Sequence, residues 1–149
     1  MTLTALPTPR GIAFTHRGNY AGQEKERPII DVEFAAVDDH GVLLGSYTTG
    51  VLVDSGARTT LLSLEAAVEL GMDLSEGRYP KEHIGGIVPG ASLWVAFALV
   101  KVNLCGRWLD IPVAFHLHPI RVSHLLGREG VFDQVEVCFR HVERAIYAT

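Results

Sequence analysis

At 149 residues, 48% hydrophobic and 20% charged, the chain has the size and composition of one globular domain with a buried core. Its formal net charge of -4, with no Lys/Arg run, argues against nucleic acid as a partner, and no stretch reaches the roughly 18 to 20 apolar residues of a membrane-crossing helix. Cys105 and Cys138 each sit in or beside an apolar run, which suits buried thiols in a reducing compartment; since Met1 to Arg10 lacks a signal-like apolar stretch, a cytoplasmic location is expected.

Residues 1–27 mix prolines, glycines and charges around the short apolar patch Ile12 to Phe14 and end in Glu24-Lys25-Glu26-Arg27. They read as an N-terminal arm, either a strap for a second copy or a loosely held terminus, ahead of a single domain over residues 28–149. Pro28 opens a half-exposed strand, Ile29 to Phe34. Asp38-Asp39-His40-Gly41 then reads as a hairpin turn into Val42 to Tyr47 and on to Val51-Leu52-Val53. That apolar strand delivers Asp54 into a tight Ser55-Gly56 turn. A buried strand has no reason of its own to end on a carboxylate, so Asp54 is a candidate catalytic acid or base; Asp, Ser and Gly are also ordinary turn residues.

Thr59 to Leu62 is β-rich, and Ser63 caps a short helix, Leu64 to Leu70, that Gly71 ends. Residues 73–82 read as a surface loop. His83 to Gly90 interleaves apolar residues with Gly85, Gly86, Gly90 and Pro89, and the β-rich run Leu93 to Leu104 follows, which predicts a hairpin with a mobile tip. Cys105-Gly106-Arg107 turns into a further strand, Trp108 to Phe115, and Trp94 and Trp108 read as core or flank packing. His116 and His118 fall on one strand face with His124 nearby, so a metal site is an alternative, although no Cys or carboxylate stands close enough in sequence to complete a ligand set. From Val131 the chain predicts a helical turn, a strand Val135 to Phe139, a charged turn through His141 to Arg144, and a last strand Ala145 to Ala148.

Three segments, in this order, resemble the retropepsin-like aspartic proteases, and are closest in pattern to the cellular and bacterial single-domain members. Asp54-Ser55-Gly56-Ala57 matches the motif D-[ST]-G-A, Ile84-Gly85-Gly86-Ile87 matches the core of the flap, and Leu125-Leu126-Gly127-Arg128 matches an apolar-apolar-Gly triplet followed by Arg. The resemblance covers roughly Pro28 to Phe139. It implies an all-β, closed acid-protease barrel with one or two short helices, homodimeric across the Asp54 turns, because one chain carries one motif and the chemistry needs two carboxylates. It further implies an aspartic endopeptidase, with Asp54 catalytic and Ser55, Gly56, Ala57, Leu125, Leu126 and Gly127 as scaffold. Ile84, Gly85, Gly86 and Ile87 become the flap, the Ile87 amide donating to a water held against substrate, and Arg121, Val122 and Ser123 line the cleft. The implied partners are a second copy and a peptide or protein substrate, with no nucleic acid, no membrane, and no metal or organic cofactor.

The chain departs from the family at two places. Val88-Pro89-Gly90 replaces a pair of glycines at the flap tip, where Pro89 stiffens the backbone. Arg58 occupies the position of an acid that pairs with the triplet's Arg in retroviral members, so Arg128 needs another partner, such as Glu129 or a residue of a second copy. The competing reading is a retropepsin-fold dimerisation or peptide-binding module that cleaves little or nothing. A third is a metal-binding β protein using His116, His118 and His124.

Overall fold

The apolar runs become strands that close on one another. The computed structural model describes residues 13–21, 27–88 and 90–149, with Ile87 and Val88 described for their backbone only. Its strands are β1 (His16–Asn19), β2 (Ile29–Val37), β3 (Leu43–Val53), β4 (Thr60–Leu62), β5 (Lys81–Val88), β6 (Ala91–Leu104), β7 (Arg107–His116), β8 (Leu125–Leu126), β9 (Val137–Arg140) and β10 (Ala145–Ala148). One α-helix, α1 (Leu64–Glu69), and a 3₁₀ turn (His141–Glu143) complete the described secondary structure.

Neighbours run β2-β3-β8-β4-β7-β6, and a further pairing of β2 with β6 closes that ring of strands. The closure is antiparallel, with Glu33, Phe34 and Ala35 opposite Asn103, Val102 and Lys101. Period-2 alternation makes the core: Ile30, Val32 and Phe34 of β2, Val100, Val102 and Leu104 of β6, and Leu109, Ile111 and Val113 of β7 all point inward and are buried. Each such side chain contributes about 1.5–3 kcal/mol by leaving water. The all-β barrel with one short α-helix agrees with the sequence expectation.

α1 is too short to stand on propensity alone. The Ser63 hydroxyl accepts from the Ala66 amide, Ala66 and Ala67 bury against the barrel, and Gly71 ends the helix in the left-handed region at φ +72°. β5 extends beyond the ring, paired with β6 as a long hairpin whose register shifts between Ile84 and Val88.

Several expectations need correction. Lys81 and Glu82 belong to β5, and the preceding loop is anchored, with Leu74 and Tyr79 buried in the core. The helical turn expected from Val131 is a single turn, with the Val135 amide donating to the Val131 carbonyl at 3.0 Å, and Gly130 before it takes φ +76°. For Trp94 and Trp108, expected as core or flank packing, half exposure selects the flank; Trp94 stacks on His83 with ring centroids 3.7 Å apart. β1 is a strand of this chain's own three-stranded sheet, ordered β1-β10-β9. The rest of the expected arm, residues 1–12 and 22–26, and Pro89 of the hairpin tip lie outside the described residues.

Candidate active site

Asp54 leaves β3 under tight local control. Its amide donates to the Leu126 carbonyl at 3.0 Å, its carbonyl accepts from Ala57 at 3.2 Å, and its Oδ1 accepts from the Gly56 amide at 2.8 Å. The side chain therefore folds back over its own turn, an arrangement short polar residues favour. A Cβ at Gly56 would stand 3.1 Å from that Oδ1, so a larger residue there would crowd the carboxylate. Oδ2 has no hydrogen-bond partner among the described residues.

β8 is the support beneath. It runs parallel to β3 and antiparallel to β4, with Leu126 fully buried. The next residues lace the turn from the other side: Gly127 N–H donates to the buried Thr60 hydroxyl at 3.0 Å, Arg128 N–H to the Ala57 carbonyl at 2.9 Å, and Glu129 N–H to the Arg58 carbonyl at 2.9 Å. Gly127 is required by proximity, since a Cβ there would lie 2.5 Å from the Thr59 carbonyl carbon.

Above this floor opens a cleft of about 810 Å³. It is lined by Asp54, Gly56 and Ala57 of the motif turn, by Ile84, Gly85 and Gly86 of the β5–β6 hairpin, and by Arg121, Val122, Ser123 and Leu125 at and before β8. Gly86 is left-handed at φ +84°. Of the remaining sequence candidates, Ser55 is exposed beside the cleft, Leu126 and Gly127 form its buried support, and Ile87 continues β5 towards the tip. Sequence reasoning missed Arg27, Arg58, Thr59, Glu82, Phe97 and Glu129, which also line the cleft. Arg58 and Thr59 follow the motif directly, and that adjacency was a usable signal. Arg27 stands just before β2, where the Pro28 carbonyl accepts from Val53 at 2.9 Å, a long-range pairing with no local trace.

The charges are re-paired relative to the sequence expectation. Arg58 binds Glu129 at 2.6 Å, while the Arg128 guanidinium donates to the Ser55 carbonyl at 2.9 Å. Glu129 is thus the partner of Arg58 and not of Arg128. The acid and base have exchanged sides, and Arg128 instead ties down the backbone of the Asp54 turn. Arg121 has no ion pair or hydrogen bond among the described residues.

The histidines do not share a strand face. His116 ends β7 with its ring buried, its Nδ1 3.0 Å from the His118 carbonyl and its Nε2 unpartnered, whereas His118 Nε2 accepts from the Trp94 amide at 3.0 Å. His124 bridges the hydroxyls of Thr49, at 3.0 Å, and Ser63, at 3.1 Å. Burial pushes His116 and His124 below the ordinary imidazole value. Among the described residues no three His, Cys, Asp or Glu side chains converge as a ligand set.

No family model matches the chain, and no curated protein does. A solved structure described as EIAV protease complexed with the inhibitor HBY-793 is similar to it, with a TM-score of 0.50 and 23% identity, over 76% of this chain and 93% of that one. The likeness is one of fold, and with the closed barrel it gives this chain a retropepsin-like architecture.

Proposed function

We infer that the chain is an aspartic endopeptidase acting as a homodimer. The observation that carries this reading is Asp54 itself, a carboxylate held by the Gly56 amide on the floor of an open cleft, with one oxygen left unpartnered among the described residues. Peptide hydrolysis by this route needs a base to activate water and an acid to protonate the scissile carbonyl oxygen. Two carboxylates sharing one proton supply both, because like charges about 3 Å apart cannot both ionise. The chain carries one Asp-Ser-Gly motif, so the second carboxylate comes from a second copy across a two-fold axis. One Asp54 then takes the proton of the attacking water while the other donates, and no covalent intermediate forms. Ser55 and Gly56, exposed at the turn, are the residues that meet their counterparts at the axis, and the hairpin carrying Ile84 to Ile87 closes over an extended peptide.

Mixing tests the shared site. After subunit exchange, equal parts of wild type and Asp54→Asn leave about one quarter of dimers with two acids. Peptidase activity per total protein should fall to roughly that fraction. A fall to about one half, with the mutant acting as a mere diluent, would mean that each subunit works alone.

A further inference from the structure

The cleft lining combines an apolar surface with a guanidinium that has no ion pair among the described residues. Ile84, Phe97, Val122 and Leu125 are partly buried and pack on the cluster Leu61, Leu93, Val95 and Ala114, and all four line the cleft that contains Asp54. Next to them, residues 121–124 form the irregular segment between Pro119 and β8. Val122 turns into the apolar cluster, while Arg121 and Ser123 on either side are exposed and line the cleft.

Arg121 differs from Arg58, another guanidinium of this cleft. Arg58 is held by Glu129 at 2.6 Å, whereas Arg121 has no ion pair or hydrogen bond among the described residues. An unpaired guanidinium beside an apolar surface is a ready donor site for a carboxylate, which accepts from two parallel N–H groups, and partial exclusion of water by a seated peptide strengthens the contact. Glu82, on β5, lines the same cleft with the opposite charge. The selectivity therefore concerns where an acid sits on the peptide rather than the peptide's total charge.

We propose that Arg121 is a specificity-determining residue that selects peptides carrying an acidic side chain close to the apolar residue seated against Ile84, Phe97, Val122 and Leu125. This rests on the endopeptidase reading for its reaction, and on the cleft alone for its recognition.

The test uses isomeric peptides of one composition, in which a single Glu is moved stepwise away from a central Phe-Leu pair, with Gln versions as controls. Cleavage by wild type, Arg121→Gln and Arg121→Glu is followed by mass spectrometry, and binding of the same peptides to the Asp54→Asn protein, with and without Arg121→Gln, by fluorescence anisotropy. For wild type, Glu within about three positions of the apolar pair should raise kcat/KM about tenfold over Gln, an advantage that shrinks as salt rises from roughly 50 to 500 mM. Arg121→Gln should abolish the ratio, and Arg121→Glu should invert it, so that Gln is preferred over Glu at the same positions. Cleavage with no positional preference, or a preference that survives Arg121→Glu, overturns the inference and leaves the endopeptidase standing. Absent cleavage with Arg121-dependent binding upholds the recognition and removes the enzyme, and absence of both overturns both.

Discussion

Gly127→Ala isolates the contact that supports the Asp54 turn. A methyl placed on Gly127 would meet the Thr59 backbone at 2.5 Å from its carbonyl carbon, 2.6 Å from its oxygen and 2.9 Å from its nitrogen. All three are main-chain atoms, so no side-chain rotation relieves the clash. To reach ordinary contact the two segments must separate by about 1 Å, and they are laced by the Gly127 bond to Thr60 and the Arg128 bond to Ala57. Overpacking alone costs about 1–3 kcal/mol, and weakening one such buried hydrogen bond adds about 1 kcal/mol. A total of about 3 kcal/mol lowers Tm by roughly 6–12 °C for a chain of this length. Thermal unfolding followed by circular dichroism, at matched protein concentration, measures it. Gly77→Ala is the control, because a Cβ there meets nothing within 4 Å, and removing a glycine from the unfolded state should stabilise by about 0.4–1 kcal/mol. A Gly127→Ala protein melting within about 2 °C of wild type would refute the close approach on which this account of the floor rests.

Further outcomes follow from the same geometry. Burial holds His116 and His124 below their usual imidazole value, opposed in part by Glu65 and, for His116, by its bond to the His118 carbonyl. The unfolded chain thus binds more protons, and the stability this represents is complete above about pH 6.5 and lost as pH falls through the depressed folded values. Tm should drop between about pH 7 and 5, and His116→Leu with His124→Asn should flatten the drop; an unchanged slope would show the rings to be solvated. Burial pushes the Cys105 thiol up to about 11, so iodoacetamide should label it only slowly in the folded protein at about pH 8 and readily in urea; rapid labelling of native Cys105 would contradict its packing. The Arg58–Glu129 pair is exposed, at 78% and 39%, so a double-mutant cycle should give a coupling of less than about 1 kcal/mol. A larger value would mean that the pair is desolvated, as it would be at an interface between copies.

The sequence carried what depends on neighbours in the chain. Apolar runs at period 2 announced β2, β6 and β7, because a strand facing one core must alternate. Ser63 and Gly71 bounded α1 by capping chemistry that is local by nature. Asp54-Ser55-Gly56 announced its turn for the same reason. What depends on residues far apart was invisible: the Arg58–Glu129 pair joins positions 71 apart, and β1 pairs with β10, His16 opposite Ala148. The helical turn from Val131 is local too, the Val135 amide donating to the Val131 carbonyl at 3.0 Å, whereas the close approach of Gly130 to Pro112 and Ile111 just before it has no local trace. Phe97 looked like any residue of a long strand, and only the assembled fold brings it to the cleft that Asp54 also lines.

The central claim is that the Asp54 carboxylate hydrolyses peptide bonds, and it is tested most directly by exposing a diverse peptide mixture to wild type and to Asp54→Asn between about pH 4 and 7, with products read by mass spectrometry. The amide preserves shape and the Gly56 contact while removing the acid. The account predicts cleavage by wild type that disappears in the variant. Cleavage retained by Asp54→Asn, or none by a well-folded wild-type dimer, would contradict it, the latter leaving a cleft that binds peptides without cutting them.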